Sequence, residues 1–245
     1  MFLPAREPLA WDLLLAWLGG RAVPGIERAA DGTYHRAGIG EIVRVVGGVE
    51  LQGPGALDAV ARVFDLAHDP AALASALGRD PLLGPLLARA PGIRVPGAWS
   101  GWELAVQAVL GQQVSVAGAR RTAEKLVAAY GDPERFPGPE AVAGGPLPGM
   151  PAARERALRA LAEAVAGGLR LDPPLDLAAT RAALLALPGF GRWTVEYIAL
   201  RALRDPDAWP GTDLWLRRAA EGADPERWRP WRAYAAMLLW QVSAG

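Results

Sequence analysis

The sequence predicts a mainly α-helical protein with a small α+β domain at its N-terminus. Two patterns carry that expectation. Short, glycine-punctuated, β-branched stretches are confined to residues 1–68, and amphipathic helical segments broken by Gly and Pro fill residues 69–245. A chain of 245 residues with 51% apolar side chains is also long enough to bury a sizeable core.

Within the small domain, the apolar segment 8–18 reads as a helix ending at Gly19-Gly20. Two or three short strands follow, at 25–29, at 32–36 and in the β-branched run 41–51. Residues 57–66 return to helical spacing, with Leu57, Val60, Ala61 and Phe64 on one face. In the second domain, Ser100 and Glu103 have capping-box spacing ahead of an apolar run, so a helix is expected over 100–110. Gly111-Gln112-Gln113 interrupts it. Ser115 is placed to cap a further helix reaching Tyr130, which Gly131 stops. More helices are expected at 152–165, at 175–185, after Gly191, at 214–221 and at 230–242.

Composition narrows the chemistry. The chain has no cysteine, which excludes disulfides, thiolate zinc sites, iron–sulfur clusters and a Cys nucleophile. His35 and His68 have no metal-ligand spacing and read as surface residues. Net charge is zero, and residues 1–100 carry 9 Arg against 10 acids. Proteins that bind nucleic acid by counterion release usually show more excess base, so a DNA partner needs local support. The segment LAWDLLLAWLGG is too short to span a bilayer, contains Asp12 and lacks a cationic lead-in. It reads as a core helix of a cytoplasmic protein with no membrane partner.

The most informative segment is LLALPGFGRWTVEYIALRAL, residues 184–203. A helix is expected to end at Leu187, the turn Pro188-Gly189-Phe190-Gly191 to follow, and another helix to start at once. Two glycines two apart permit positive φ and close approach of another backbone. The N–H groups of the turn and of the next helix then point outward together, a site for an anionic oxygen such as a DNA phosphate. A plain interhelical turn explains PGxG equally well in isolation. Further on, WPGTDLWLRRA places Asp213 22 residues beyond Gly191, at another helix start. Alone, an Asp there is an ordinary N-cap.

Hairpin and aspartate together resemble the helix-hairpin-helix DNA glycosylases, which follow the hairpin with a catalytic aspartate at a helix start. Three further segments are similar to one branch, the DNA-3-methyladenine glycosylase II (AlkA-type) family. They are WDLLLAWLGGRAVPGIERA, PGIRVPGAWSGWELAVQAVLGQQVSVAGAR and ERWRPWRAYAAMLLW, in that order across nearly the whole chain. The resemblance implies a helix-hairpin-helix glycosylase core at 69–245, its cleft between two helical subdomains. It also implies that the N-terminal domain is shortened and its sheet reduced. The partner would be double-stranded DNA carrying damaged bases, met by a monomer.

By the same resemblance, Asp213 is the essential carboxylate and Trp17, Trp193, Tyr197 and Trp240 form the base pocket. Core packing is the alternative for each ring. Pro188, Gly189, Phe190, Gly191, Arg192 and Thr194 would meet DNA. Gln112 and Gln113 match the turn whose side chain wedges into the gap left by a flipped base, though the family's best-known members have an apolar residue at 113. The backbone carbonyls of Leu185, Leu187 and Phe190 match a site for a structural Na+ or K+ ion; no other cofactor is implied. Leu214 departs from the family's aromatic neighbour of the aspartate.

Relatives that also cut the strand carry a lysine two residues after the second hairpin glycine, as a Schiff-base amine. That position is Trp193 here, and Lys125, the only lysine, lies in a different helix. Hydrolysis of an N-glycosidic bond remains, through an oxocarbenium-like transition state that a carboxylate stabilises. A purine methylated at N3 or N7 is already cationic and leaves as a neutral molecule, so one aspartate suffices without a general acid. Two readings compete with an alkylated-base glycosylase of base excision repair. One is a helix-hairpin-helix glycosylase for oxidised or deaminated bases, and the other a non-catalytic helix-hairpin-helix DNA-binding protein.

Overall fold

A computed structural model of the protein describes residues 1–242, so the last three residues of the predicted second domain lie outside the described residues. Near the N-terminus, β1 (Phe2–Pro4), β2 (Glu27–Ala30), β3 (Thr33–Arg36), β4 (Gly40–Val45) and β5 (Gly48–Gln52) form one antiparallel sheet ordered β1-β5-β4-β3-β2. Between β1 and β2 runs α1 (Trp11–Arg21), and α2 (Leu57–Val63) follows β5. The remainder is helical: α3 (Pro70–Leu77), α4 (Leu83–Arg89), α5 (Gly101–Leu110), α6 (Val116–Ala128), α7 (Pro139–Gly144) and α8 (Ala152–Ala166). Then come α9 (Leu177–Leu185), α10 (Arg192–Arg201), α11 (Leu214–Ala219), a 3-10 turn at Pro225–Trp228 and α12 (Arg232–Gln241).

Five strands replace the two or three predicted. The run 41–51 is two strands joined by the two-residue turn Val46-Gly47, with Val45 paired to Gly48 and Gly47 at φ +77°. The three residues of β1 are too few to show a periodicity, and they hold only by pairing with β5. Helix α1 also differs from its prediction: it runs through Gly19-Gly20 instead of ending there. Gly19 is small for a packing reason, since a Cβ there would sit 2.8 Å from the Ala29 Cβ on β2.

Two apolar clusters share α1 between them. Trp11, Leu14 and Leu18 face Tyr34, Ile42, Val49, Leu51 and Phe64 in a core closed by the sheet and α2. Trp17 points the other way, into the large helical core with residues of α5, α8, α10 and α12. The sheet is tied to α5 by charge: Arg36 donates to Glu27 at 2.9 Å and to both oxygens of Glu103 at 2.7 and 2.8 Å. The predicted capping box is therefore only half formed. Ser100 Oγ accepts the Glu103 N–H at 3.4 Å, while the Glu103 carboxylate turns to Arg36 instead of back to Ser100.

His68 corrects the sequence reading, because it is buried rather than on the surface, and the half-exposed His35 lies in β3. The imidazole stacks on Tyr234 with ring centroids 4.2 Å apart, and its Nε2 has no partner among the described residues. Burial pulls its pKa from 6.5 to about 4, with Arg94 and Arg204 adding to the fall and Asp65 and Asp69 opposing it. The folded state thus prefers neutral His68. Its contribution to stability is present above about pH 6.5 and is lost as pH falls from there towards 4. His68→Phe keeps the stack and removes the titration, so its melting temperature should fall less than the wild type's across that window. Parallel acid-side melting curves would assign the loss to another group.

Candidate active site

The centre of the site is Asp213, the N-cap of α11. Its Oδ1 accepts the backbone N–H groups of Trp215 and Leu216, both at 3.0 Å. The capping role weighed from sequence is therefore real. The carboxylate also accepts two indole N–H groups, from Trp193 to Oδ2 at 2.9 Å and from Trp240 to Oδ1 at 3.3 Å. Hydrogen bonds of this kind hold a carboxylate in place.

Around it is a cavity of about 240 Å³, and every predicted pocket residue lines it: Trp17, Trp193, Tyr197 and Trp240. Helical spacing sets Trp193 and Tyr197 one turn apart on α10, where their rings stack 5.2 Å apart at 10°. Trp240, from the end of α12, meets Tyr197 edge-on at 6.2 Å and Trp17 at 5.5 Å. Core packing and site are thus not exclusive for these rings. Burial by itself would raise the Tyr197 phenol, but the guanidiniums of Arg201 and Arg21 outweigh it and hold the phenol below its usual value.

The hairpin lies beside this cavity. Helix α9 ends at Leu185, where the predicted 175–185 helix ends and two residues before the Leu187 end of the hairpin reading, and the Leu187 carbonyl accepts Phe190 N–H at 3.2 Å to close the turn. Only Gly189 takes positive φ, at +78°; Gly191 is the N-cap of α10 with φ −87°. A Cβ at Gly191 would meet nothing within 4 Å, so no neighbour within the described residues requires glycine there. The N–H groups of Gly191, Arg192, Trp193 and Thr194 have no acceptor among the described residues. Phe190 is buried and anchors the turn in the helical core.

Two predicted DNA contacts are engaged within the protein. Gln112 donates to the Gly189 carbonyl at 2.9 Å and to Thr194 Oγ1 at 3.0 Å, and the Thr194 side chain is buried. Its own carbonyl accepts from Arg154 at 2.7 Å. Gln112 therefore braces the α5–α6 turn against the hairpin. Gln113 stands exposed at the tip of that turn with φ +58°. Pro188, Gly189, Gly191 and Arg192 are exposed.

Sequence reasoning missed Arg21, Gln107 and Arg120, which also line the cavity. Signals existed for two of them. Arg21 lies four residues after Trp17 on the same helix face, and Gln107 is a lone polar residue in the apolar run of α5. Arg120 carried none.

The chain matches the AlkA N-terminal domain family over residues 1–39 and 49–100. The fold is that of the 3-methyladenine DNA-glycosylase of Archaeoglobus fulgidus, with a TM-score of 0.83 at 18% identity over 98% of this chain and 96% of that one. Architecture and cavity thus define a helix-hairpin-helix glycosylase fold. The chain is 34% identical to the DNA-3-methyladenine glycosylase 2 of Escherichia coli, over 96% of its own length and 94% of that protein's. It belongs to the DNA-3-methyladenine glycosylase 2 (AlkA) family. It is also 40% identical, over 97% of its length, to the Mycobacterium tuberculosis protein named "Probable bifunctional transcriptional activator/DNA repair enzyme AlkA". There it spans 56% of the relative, little more than half.

Proposed function

We propose that the protein is a monofunctional DNA glycosylase of base excision repair that acts on purines methylated at N3 or N7 in double-stranded DNA. The observation that carries the reading is the Asp213 carboxylate, gripped by two indole N–H groups at the edge of an aromatic cavity. Family membership supports it. The free N–H groups at the start of α10 take a DNA phosphate, which answers the neutral net charge without lysine. Gln113 enters the gap left by the flipped nucleotide. Opening the duplex costs a few kcal/mol, less where the base is damaged.

Inside the cavity the electron-poor base lies against electron-rich indoles, with cation–π attraction of about 0.5–2 kcal/mol. As the C1′–N bond breaks, its electron pair goes to the base, which leaves uncharged. Asp213 stabilises the positive charge growing on the sugar. Water then bonds to C1′ and gives up a proton, and an abasic site remains. No general acid and no cofactor enter these steps. By family resemblance the Leu185, Leu187 and Phe190 carbonyls are the donor set for a Na+ or K+ ion, and Leu185 ends α9, where the helix dipole is negative. Such an ion would add positive charge beside the phosphate. Among the described residues no helix is long and apolar enough to cross a membrane. A cytoplasmic protein that joins the nucleoid when on DNA is the location that goes with this function.

The test is release of free base from methylated duplex DNA, followed by a gel for strand cleavage. Trp193 occupies the lyase amine position and Lys125 is exposed on α6, apart from the residues that line the cavity. The strand should stay intact until alkali or an added endonuclease nicks it, and borohydride should trap no protein–DNA adduct. No base release would refute the function. An adduct that vanished in Lys125→Ala would refute the assignment of residues near the sugar.

A further inference from the structure

Helix α11 holds Asp213 at its N-cap through the Trp215 and Leu216 N–H groups, and much of its remaining surface faces solvent. Leu214, Arg217 and Arg218 are exposed. At 61%, Leu214 is second only to Val46 among the exposed large apolar side chains of the described residues. Spacings of three and four put Arg217 and Arg218 on the face that Leu214 begins. Neither guanidinium has an acceptor or a carboxylate partner among the described residues, although Glu221 is exposed just beyond them. Other surface arginines are paired: Arg6 with Asp69, Arg28 with Glu41, Arg229 with Asp207 and Glu226. The chain as a whole is neutral, so attraction for a polyanion must come from such local groups.

We propose that Arg217 and Arg218 form a second backbone site, binding phosphates of the damaged strand next to the flipped nucleotide and apart from the one held at the hairpin. The proposal rests on the glycosylase reading, which places the sugar of the flipped nucleotide at Asp213. At 1.5 Å of rise per residue, Arg217 and Arg218 stand about 6 and 7.5 Å further along α11. The exposed face therefore runs outward from the sugar, apolar at Leu214 and cationic after it. Deoxyribose and phosphate follow in that order along a strand. The helix dipole also favours cations in a last turn, so a melting curve alone does not test the site. The salt dependence of binding does, because each phosphate contact releases counterions.

The experiment titrates a labelled duplex carrying a tetrahydrofuran abasic site at several salt concentrations. The proteins are wild type, Arg217→Gln, Arg218→Gln, the double glutamine variant, the double lysine variant and Arg79→Gln. Arg79, between α3 and α4, is also exposed and unpaired among the described residues, and it belongs to neither the cavity nor the hairpin. It controls for the loss of one charge from the whole molecule. The slope of log affinity against log salt should become shallower by about 0.9 in each single glutamine variant and by about 1.8 in the double one. Affinity at low salt should fall about tenfold or more in the double glutamine variant. Lysine keeps the charge and should keep the slope. The slope is unaffected by partial loss of folded protein. An unchanged slope in the double glutamine variant overturns the site. So do single variants that match Arg79→Gln, or a lysine variant that loses as much slope as the glutamine one. A wild type with no affinity for the duplex overturns the glycosylase reading itself.

Discussion

Asp213→Asn is expected to cut base release by at least about 10²–10³-fold, the scale set by removing one preorganised charge-stabilising group. A neutral amide offers nothing to the oxocarbenium charge. The fold should survive at a small cost, because an amide oxygen can still accept the Trp215 and Leu216 N–H groups that cap α11. The geometry adds a penalty that capping alone does not foresee. With the amide oxygen at the cap, the NH₂ group faces the Trp193 indole N–H, donor against donor. One lost hydrogen bond costs about 1 kcal/mol, or roughly 2–4 °C in melting temperature for a domain of this size. Rates on methylated duplex and a melting curve check both halves. Most of the activity surviving in a folded variant would end the proposed mechanism.

Gly191→Lys is expected to weaken duplex binding by about tenfold or more, the loss of one or more charge-assisted hydrogen bonds to phosphate, at nearly unchanged melting temperature. A side chain at 191 meets no protein atom within 4 Å, and the backbone there is at φ −87°. The protein tolerates the lysine, but an incoming phosphate would find a Cβ in front of the N–H groups of α10. The added charge by itself would favour a polyanion, so a loss can only be steric. Titration of labelled duplex at fixed salt measures it. Affinity equal to the wild type's would reduce the hairpin to a turn. Gly189 is a poorer probe, because its φ of +78° strains any substitution whatever DNA does.

Much of the architecture was legible in the sequence because it depends on local signals. Ser100, Ser115 and the Gly/Pro punctuation mark the helices that carry the site, and the PGFG turn marks the hairpin. The spacing from Gly191 to Asp213 and the aromatic positions gave the site its candidates through resemblance, and the fold brings those rings around one cavity. Less was legible where two distant segments decide the outcome. The strand β1 exists only because β5 pairs with it, and Gly19 looks like a helix stop until β2 is seen packing on it.

The sequence by itself determined the helical succession, the hairpin and the absence of cysteine chemistry, since capping, turn geometry and residue type act within a few residues. Only the tertiary structure decided what polar side chains do. Glu103 leaves its cap for Arg36 on the sheet, Gln112 turns inward to Thr194, and His68 is buried against Tyr234. Each choice depends on a partner far along the chain, 67 residues away for Arg36 and Glu103, 82 for Gln112 and Thr194 and 166 for His68 and Tyr234. A polar group's energy is set by whichever partner replaces its lost water. Arg21 follows the same rule: its place on Trp17 is local, but its position in the cavity with Asp213 comes from α1 packing against α6 and from Trp17 meeting Trp240 of α12.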